Sequence, residues 1–226
     1  MRTPKRRMGL AVAAAISLGT ALALVPSPRC SSSSPVPGRG SAPLYRVSGT
    51  GSVEIIDGGF ERVDHLLYED PKFRKFVKDH ALHDTLAGPG RVEQYEMYIN
   101  KQREELLAVI TFGKSLNGYP GVVHGGILGL LLDNSFGILF LNLQKPLSVT
   151  ANLNINYRSP TFASTQAVLF AKIDRVEGRK MFMSARIEDA KTRKVLVEST
   201  TLFLAMRKPW WDPLGLVQKV QDLLQG

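Results

Sequence analysis

Two kinds of chemistry meet in the stretch Gly118-Tyr-Pro-Gly-Val-Val-His-Gly-Gly-Ile-Leu-Gly-Leu-Leu-Leu-Asp133. Pro120, Gly121, Gly125 and Gly126 let the backbone around His124 come very close to a ligand, and the first amides of a helix point outward without partners. Such amides hold an oxyanion. Nine residues beyond His124 stands Asp133, the one carboxylate in an apolar run over 127–141. That run predicts a helix buried in the middle of a domain. An unpaired carboxylate there is strongly disfavoured, so Asp133 is either a satisfied structural acid or a catalytic one. Other reactive groups offer less. Cys30 is the only cysteine, so no intrachain disulfide exists. His80 and His83 are three apart on a predicted helix with no third ligand nearby, so no metal site is expected.

The elements that position these groups follow from periodicity and turns. Residues 66–86 carry spaced apolar positions interrupted by Pro71, which predicts one or two short helices. Residues 91–99 and 105–112 predict two strands joined by a polar turn, and the glycine-rich turn and long helix come next. Four further strands are expected over 146–158, 165–176, 180–189 and 194–206. Turns at 159–163, 177–178 and 190–193 imply an antiparallel meander. In the first of these strands, odd positions Val149, Ala151, Leu153, Ile155 and Tyr157 are apolar, whereas Thr150, Asn152, Asn154, Asn156 and Arg158 are polar. One face should therefore meet the core and the other be wet, contact a ligand or contact a second subunit. The predicted class is α+β.

Charge separates the chain into unlike parts. Of 226 residues with a net charge of +9, the first 53 hold seven basic residues and no acidic one, leaving 22 basic against 20 acidic afterwards. A nearly neutral folded part removes the main support for nucleic-acid binding. Lys5, Arg6 and Arg7 precede an apolar run over 8–25 and then a Ser/Pro-rich segment that cannot build a core. Residues 1–50 are thus expected to be a targeting leader. A mitochondrial presequence is preferred, with an inner-membrane anchor over 8–25 as an addition and a secretory signal as the runner-up. Residues 51–206 are expected to be one domain. Over 207–226, Trp210 and Trp211 lead an amphipathic pattern that seeks cover on its own domain or on a membrane surface.

The order of elements, His124-Gly125-Gly126 at the helix head, Asp133, and the strand Thr150-Ala-Asn-Leu-Asn-Ile-Asn-Tyr-Arg158 followed by Pro160 closely resemble the hotdog-fold acyl-CoA thioesterases. Among these, the likeness is to the mitochondrial long-chain type of thioesterase superfamily members four and five, and Val176-Glu-Gly-Arg-Lys180 resembles that group too. The resemblance covers roughly 91–206. It implies a long central helix wrapped by an antiparallel sheet and hydrolysis of medium- to long-chain fatty acyl-CoA, in which coenzyme A is part of the substrate and no cofactor is needed. It implies that the Gly125 amide polarises the thioester carbonyl, that His124 shapes the turn, and that Asp133 is nucleophile or general base. It further implies that Thr150 places the water or the acid, and that Gly126, Asn156, Arg158, Gly178, Arg179 and Lys180 contact substrate, the cations meeting phosphates. Eight residues of helix hold Gly125 and Asp133 about 12 Å apart, too far to share one carbonyl carbon. A homodimer or dimer of dimers with sites shared between subunits is therefore expected. A non-catalytic acyl-CoA or lipid binder on the same scaffold is the alternative, although a binder has no need of Asp133.

Overall fold

A computed structural model describes residues 44–63, 77–143 and 145–206. The expected leader over 8–25, most of the predicted helical region over 66–86 and the tail with Trp210 and Trp211 lie outside the described residues. Alternating apolar positions build the main sheet. It contains β3 (Glu61–Arg62), β4 (Val92–Asn100), β5 (Glu105–Phe112), β8 (Ser148–Tyr157), β9 (Gln166–Glu177), β10 (Lys180–Asp189) and β11 (Val195–Ala205). The strands pair antiparallel in the order β3-β4-β5-β9-β10-β11-β8. Its helix-facing side carries Met97, Ile99, Leu106, Ala108, Ile110, Phe112, Leu169, Met183 and Ile187. These pack on Leu128, Leu131, Leu132, Phe136, Leu139 and Phe140 of the long helix α1 (Gly125–Asn142). Burial of each large side chain stabilises the fold by about 2 kcal/mol. Truncating Leu131 to alanine would cost about 2–5 kcal/mol through the cavity it leaves.

The expected meander holds for β9, β10 and β11 and fails for β8, which pairs with β11 at the edge of the sheet and not with β9. The segment after Tyr157 does not close a hairpin. It runs past the helix head, where Val123 N donates to Thr161 O at 2.9 Å and Ala163 N to Gly121 O at 2.9 Å. Those bonds join it to the small hairpin of β6 (Asn117–Tyr119) and β7 (Val122–Val123), which delivers the chain into α1. Pro160 cannot donate to a ladder, in keeping with a crossing segment.

Upstream of Gly51, the chain already contributes a packed element. β1 (Tyr45–Val47) pairs with β2 (Val53–Ile55), and this hairpin covers the outer sheet face over Leu107, Val168 and Phe170. Arg193 fixes it, its guanidinium 3.3 Å from the Tyr45 ring centroid and its Nη2 donating to Tyr45 O at 2.6 Å. The Tyr45 hydroxyl donates to Glu188 at 2.6 Å.

Candidate active site

α1 is not enclosed on every side as its composition suggests. Ile127, Leu130, Asp133, Asn134, Gly137 and Leu141 are only half-buried in the single chain, whereas Leu131, Leu132, Phe136 and Leu139 are fully buried. Gly125, Gly129 and Asp133 recur every four residues and so share one face. β8 runs along that face in the opposite direction. A Cβ on Gly125 would lie 3.1 Å from the Tyr157 ring, and one on Gly129 would lie 3.1 Å from Ile155 Cδ1. Further along, the Thr150 hydroxyl donates to Asp133 Oδ1 at 2.7 Å. Asp133 Oδ2 has no partner among the described residues.

Strict alternation would turn Thr150 away from α1, together with Asn152, Asn154 and Asn156. A bulge prevents this. On β11, Leu202 faces Asn152 and Phe203 faces Thr150, so Ala151 is the extra residue. The added residue switches sides, placing Thr150 on the helix side with Ile155 and Tyr157 and leaving Val149 49% exposed. The outward asparagines pair locally, Asn154 Nδ2 donating to Asn152 Oδ1 at 2.6 Å.

At the helix head, His124 is the N-cap, and its Nδ1 accepts from Gly126 N at 2.9 Å. That bond occupies the Gly126 amide. The neighbouring Gly125 N–H donates to no acceptor among the described residues. Tyr157 closes the turn from the other side, its hydroxyl donating to Gly125 O at 2.9 Å. Sequence reasoning placed Tyr157 among core-facing positions and missed this contact, for which the sequence carries no local signal.

The cations expected at phosphates divide into two groups. Arg158 Nε pairs with Glu198 Oε2 at 2.7 Å, beside exposed Asn156. Arg179 and Lys180 stand at the tip of the β9–β10 hairpin, turned by Gly178 at φ 58°, and Arg179 Nε donates to Ala205 O at 2.9 Å. Their strand partners on β11, Glu198 beside Asn156 and Leu204 beside Lys180, are six residues apart, about 20 Å. One chain therefore does not gather them at one phosphate.

On another side of α1 lies a partly buried polar cluster. His83 Nε2 is 3.2 Å from Asn134 Nδ2, which also donates to the Tyr95 hydroxyl at 3.2 Å, and that hydroxyl shares a 2.8 Å bond with fully buried Ser135. Burial pushes the His83 imidazole down to about 4; the adjoining His80 adds to the shift and the Asn134 contact opposes it. His80 is committed differently, its Nδ1 accepting from Leu82 N and His83 N to cap the turn Ala81–Thr85.

A long helix wrapped by an antiparallel sheet is the arrangement of a hotdog fold. Residues 120–196 match the thioesterase superfamily. It is 31% identical over 113 residues to the acyl-coenzyme A thioesterase THEM4 of Mus musculus, covering 50% of this chain and 48% of that one. With THEM4 of Bos taurus it is 28% identical over 165 residues, 66% of this chain and 68% of the relative. An uncharacterized mitochondrial membrane protein of Saccharomyces cerevisiae, FMP10, is 29% identical over 111 residues, 47% of this chain and 45% of that protein. In most of its curated relatives the chain spans about half the length.

Proposed function

We propose that the chain is an acyl-CoA thioesterase acting on medium- to long-chain fatty acyl-CoA. The observation that carries this reading is Asp133, tied to Thr150 at one carboxylate oxygen and, among the described residues, without a partner at the other, on the helix whose first amide, that of Gly125, likewise has no acceptor among them. A thioester carbonyl is already electrophilic and a thiolate leaves readily, so one base and one oxyanion donor suffice. Asp133 removes a proton from water as the water oxygen bonds to the thioester carbon, and the carbonyl oxygen takes negative charge against the Gly125 amide. Collapse of that intermediate breaks the carbon–sulfur bond, and the proton returns to the departing thiolate. Free fatty acid and coenzyme A result.

The names of the relatives support acyl-CoA as the substrate class and a mitochondrial location, which we place in the matrix or on the inner membrane. A shared site is part of the proposal. The helix rise keeps Gly125 and Asp133 of one chain about 12 Å apart, and a two-fold axis beside the open stripe of α1 would set each against the other's partner. The same axis would bring Arg158 of one chain toward Arg179 and Lys180 of the next. The test is a panel of acyl-CoA substrates assayed for thiol release, starting upstream of Tyr45 so that the outer hairpin is kept. Turnover that rises with acyl length and vanishes in Asp133→Asn supports the reading. Tight acyl-CoA binding without turnover would make the chain a binder instead. Mixing Asp133→Asn with Gly125→Pro tests the sharing, since statistical heterodimers carry one intact site and recover about a quarter of wild-type activity.

A further inference from the structure

The Gly125–Gly126 peptide is gripped at both ends. Its carbonyl oxygen accepts from the Tyr157 hydroxyl at 2.9 Å, and its N–H donates to His124 Nδ1 at 2.9 Å. Neither glycine has a Cβ to restrict rotation, so at this first turn of α1 the two side-chain bonds add restraint to a peptide plane that the helix holds at its end. The Tyr157 ring also lies where a Gly125 Cβ would come within 3.1 Å, closing the space on that side. Among the described residues, the polar group of Gly125 left without a partner is its N–H, which belongs to the preceding peptide. Its direction depends on the dihedrals that the clamp restrains.

We propose that Tyr157 is a positioning residue for the thioester reaction: with His124 it locks the Gly125–Gly126 peptide and so aims the Gly125 amide at the developing oxyanion. This rests on the reading of Gly125 as the oxyanion donor. A bond to the carbonyl oxygen also polarises the same peptide's N–H, strengthening its bond to His124, so the two contacts reinforce each other. Oxyanion stabilisation needs the donor within about 2.7–3.1 Å of the charge, and small rotations of the amide use up that tolerance. Tyr157 thus acts on the transition state without touching it, through a bond that phenylalanine cannot make.

The experiment is Tyr157→Phe in the full chain, with thiol-release kinetics, thermal melting and hydrogen exchange of the Gly126 amide. A kcat lowered about tenfold is expected, short of the 10²–10³-fold that loss of a donor costs. KM should stay within about twofold, the melting temperature should hold, and the Gly126 amide should exchange faster. Unchanged kcat overturns the proposal, as does a raised KM at constant kcat, which would make Tyr157 a substrate contact. A loss of kcat that tracks only a lowered melting temperature, with Gly126 exchange unchanged, also overturns it. Asp133→Asn assayed beside it separates the two readings. If Asp133→Asn is dead and Tyr157→Phe fully active, the clamp fails and the catalytic assignment stands. If Asp133→Asn turns over normally, the assignment of Asp133 fails, while a kcat loss with faster Gly126 exchange in Tyr157→Phe still supports the clamp.

Discussion

Two neighbouring faces of α1 carry polar side chains and treat them in opposite ways. On the β8 side, Asp133 is half-buried, satisfied at one oxygen by Thr150 and, among the described residues, open at the other. On the side facing β4 and the turn Ala81–Thr85, His83, Asn134, Tyr95 and Ser135 satisfy one another, with His83 and Ser135 buried. The identities of adjacent residues, Asp133 and Asn134, do not separate the roles; the number of unspent hydrogen-bonding groups does. A closed network fixes the helix, whereas an incomplete one can accept a proton. The sharpest way to break the comparison is therefore to exchange its expected outcomes. Asp133→Asn should lower kcat about 10²–10⁴-fold with little change in melting temperature. A stability loss without a rate loss would place Asp133 among the structural groups.

The His83 face should report through stability, and its sign follows from the depressed His83 value. Below pH 6.5 the unfolded chain takes up a proton that the folded chain refuses until about pH 4. Stability is therefore fully present above pH 6.5 and lost as the pH falls toward 4. Urea unfolding should show about 2 kcal/mol of loss between pH 6.5 and 5. That slope should shrink in His83→Gln, whose kcat per folded molecule should match wild type. An unchanged slope would mean that His83 is not desolvated in solution.

Much of this arrangement was legible from residues alone, because the long helix and the principal strands depend on periodicity. The glycine turn and Asp133 also stand out by type and spacing, whereas Thr150 is singled out only by the family resemblance. Strand order did not, because the short distance between 157 and 166 looks like a hairpin connection and only long-range pairing puts β8 beside β11. The bulge at Ala151 was hidden for a related reason: a period-two pattern has no marker for a residue its partner strand skips. Tyr157 was lost to the same pattern, since an aromatic in an apolar alternation reads as core whatever its hydroxyl does. The buried cluster joins residues as far apart as His83 and Asn134, which no local window contains.

Smaller effects sharpen the open side. Thr150→Val removes a bond to a charged acceptor and should lower kcat about tenfold, with Thr150→Ser restoring most of it. Equal activity in all three forms would show that Asp133 needs no placement. Smallest of all, Arg158→Ala should raise KM for acyl-CoA by less than about fivefold at constant kcat, since the guanidinium is exposed and already paired with Glu198. The same shift with substrates lacking the nucleotide would remove Arg158 from the phosphate site.

The bulge at Ala151 makes the site unusually tolerant of one kind of genetic change. Loss of that single codon would let β8 regain regular pairing with β11 and leave Thr150 on the helix side of the strand, because Asn152 and Thr150 would then alternate directly opposite Leu202 and Phe203. No catalytic residue would be altered, the sheet would still form, and Asp133 would keep its hydrogen-bond donor. Along this strand, inheritance must conserve the identity of Thr150 and not the residue count, and a gap of one at an exposed alanine would mark a lineage in which the strand was straightened and the chemistry kept.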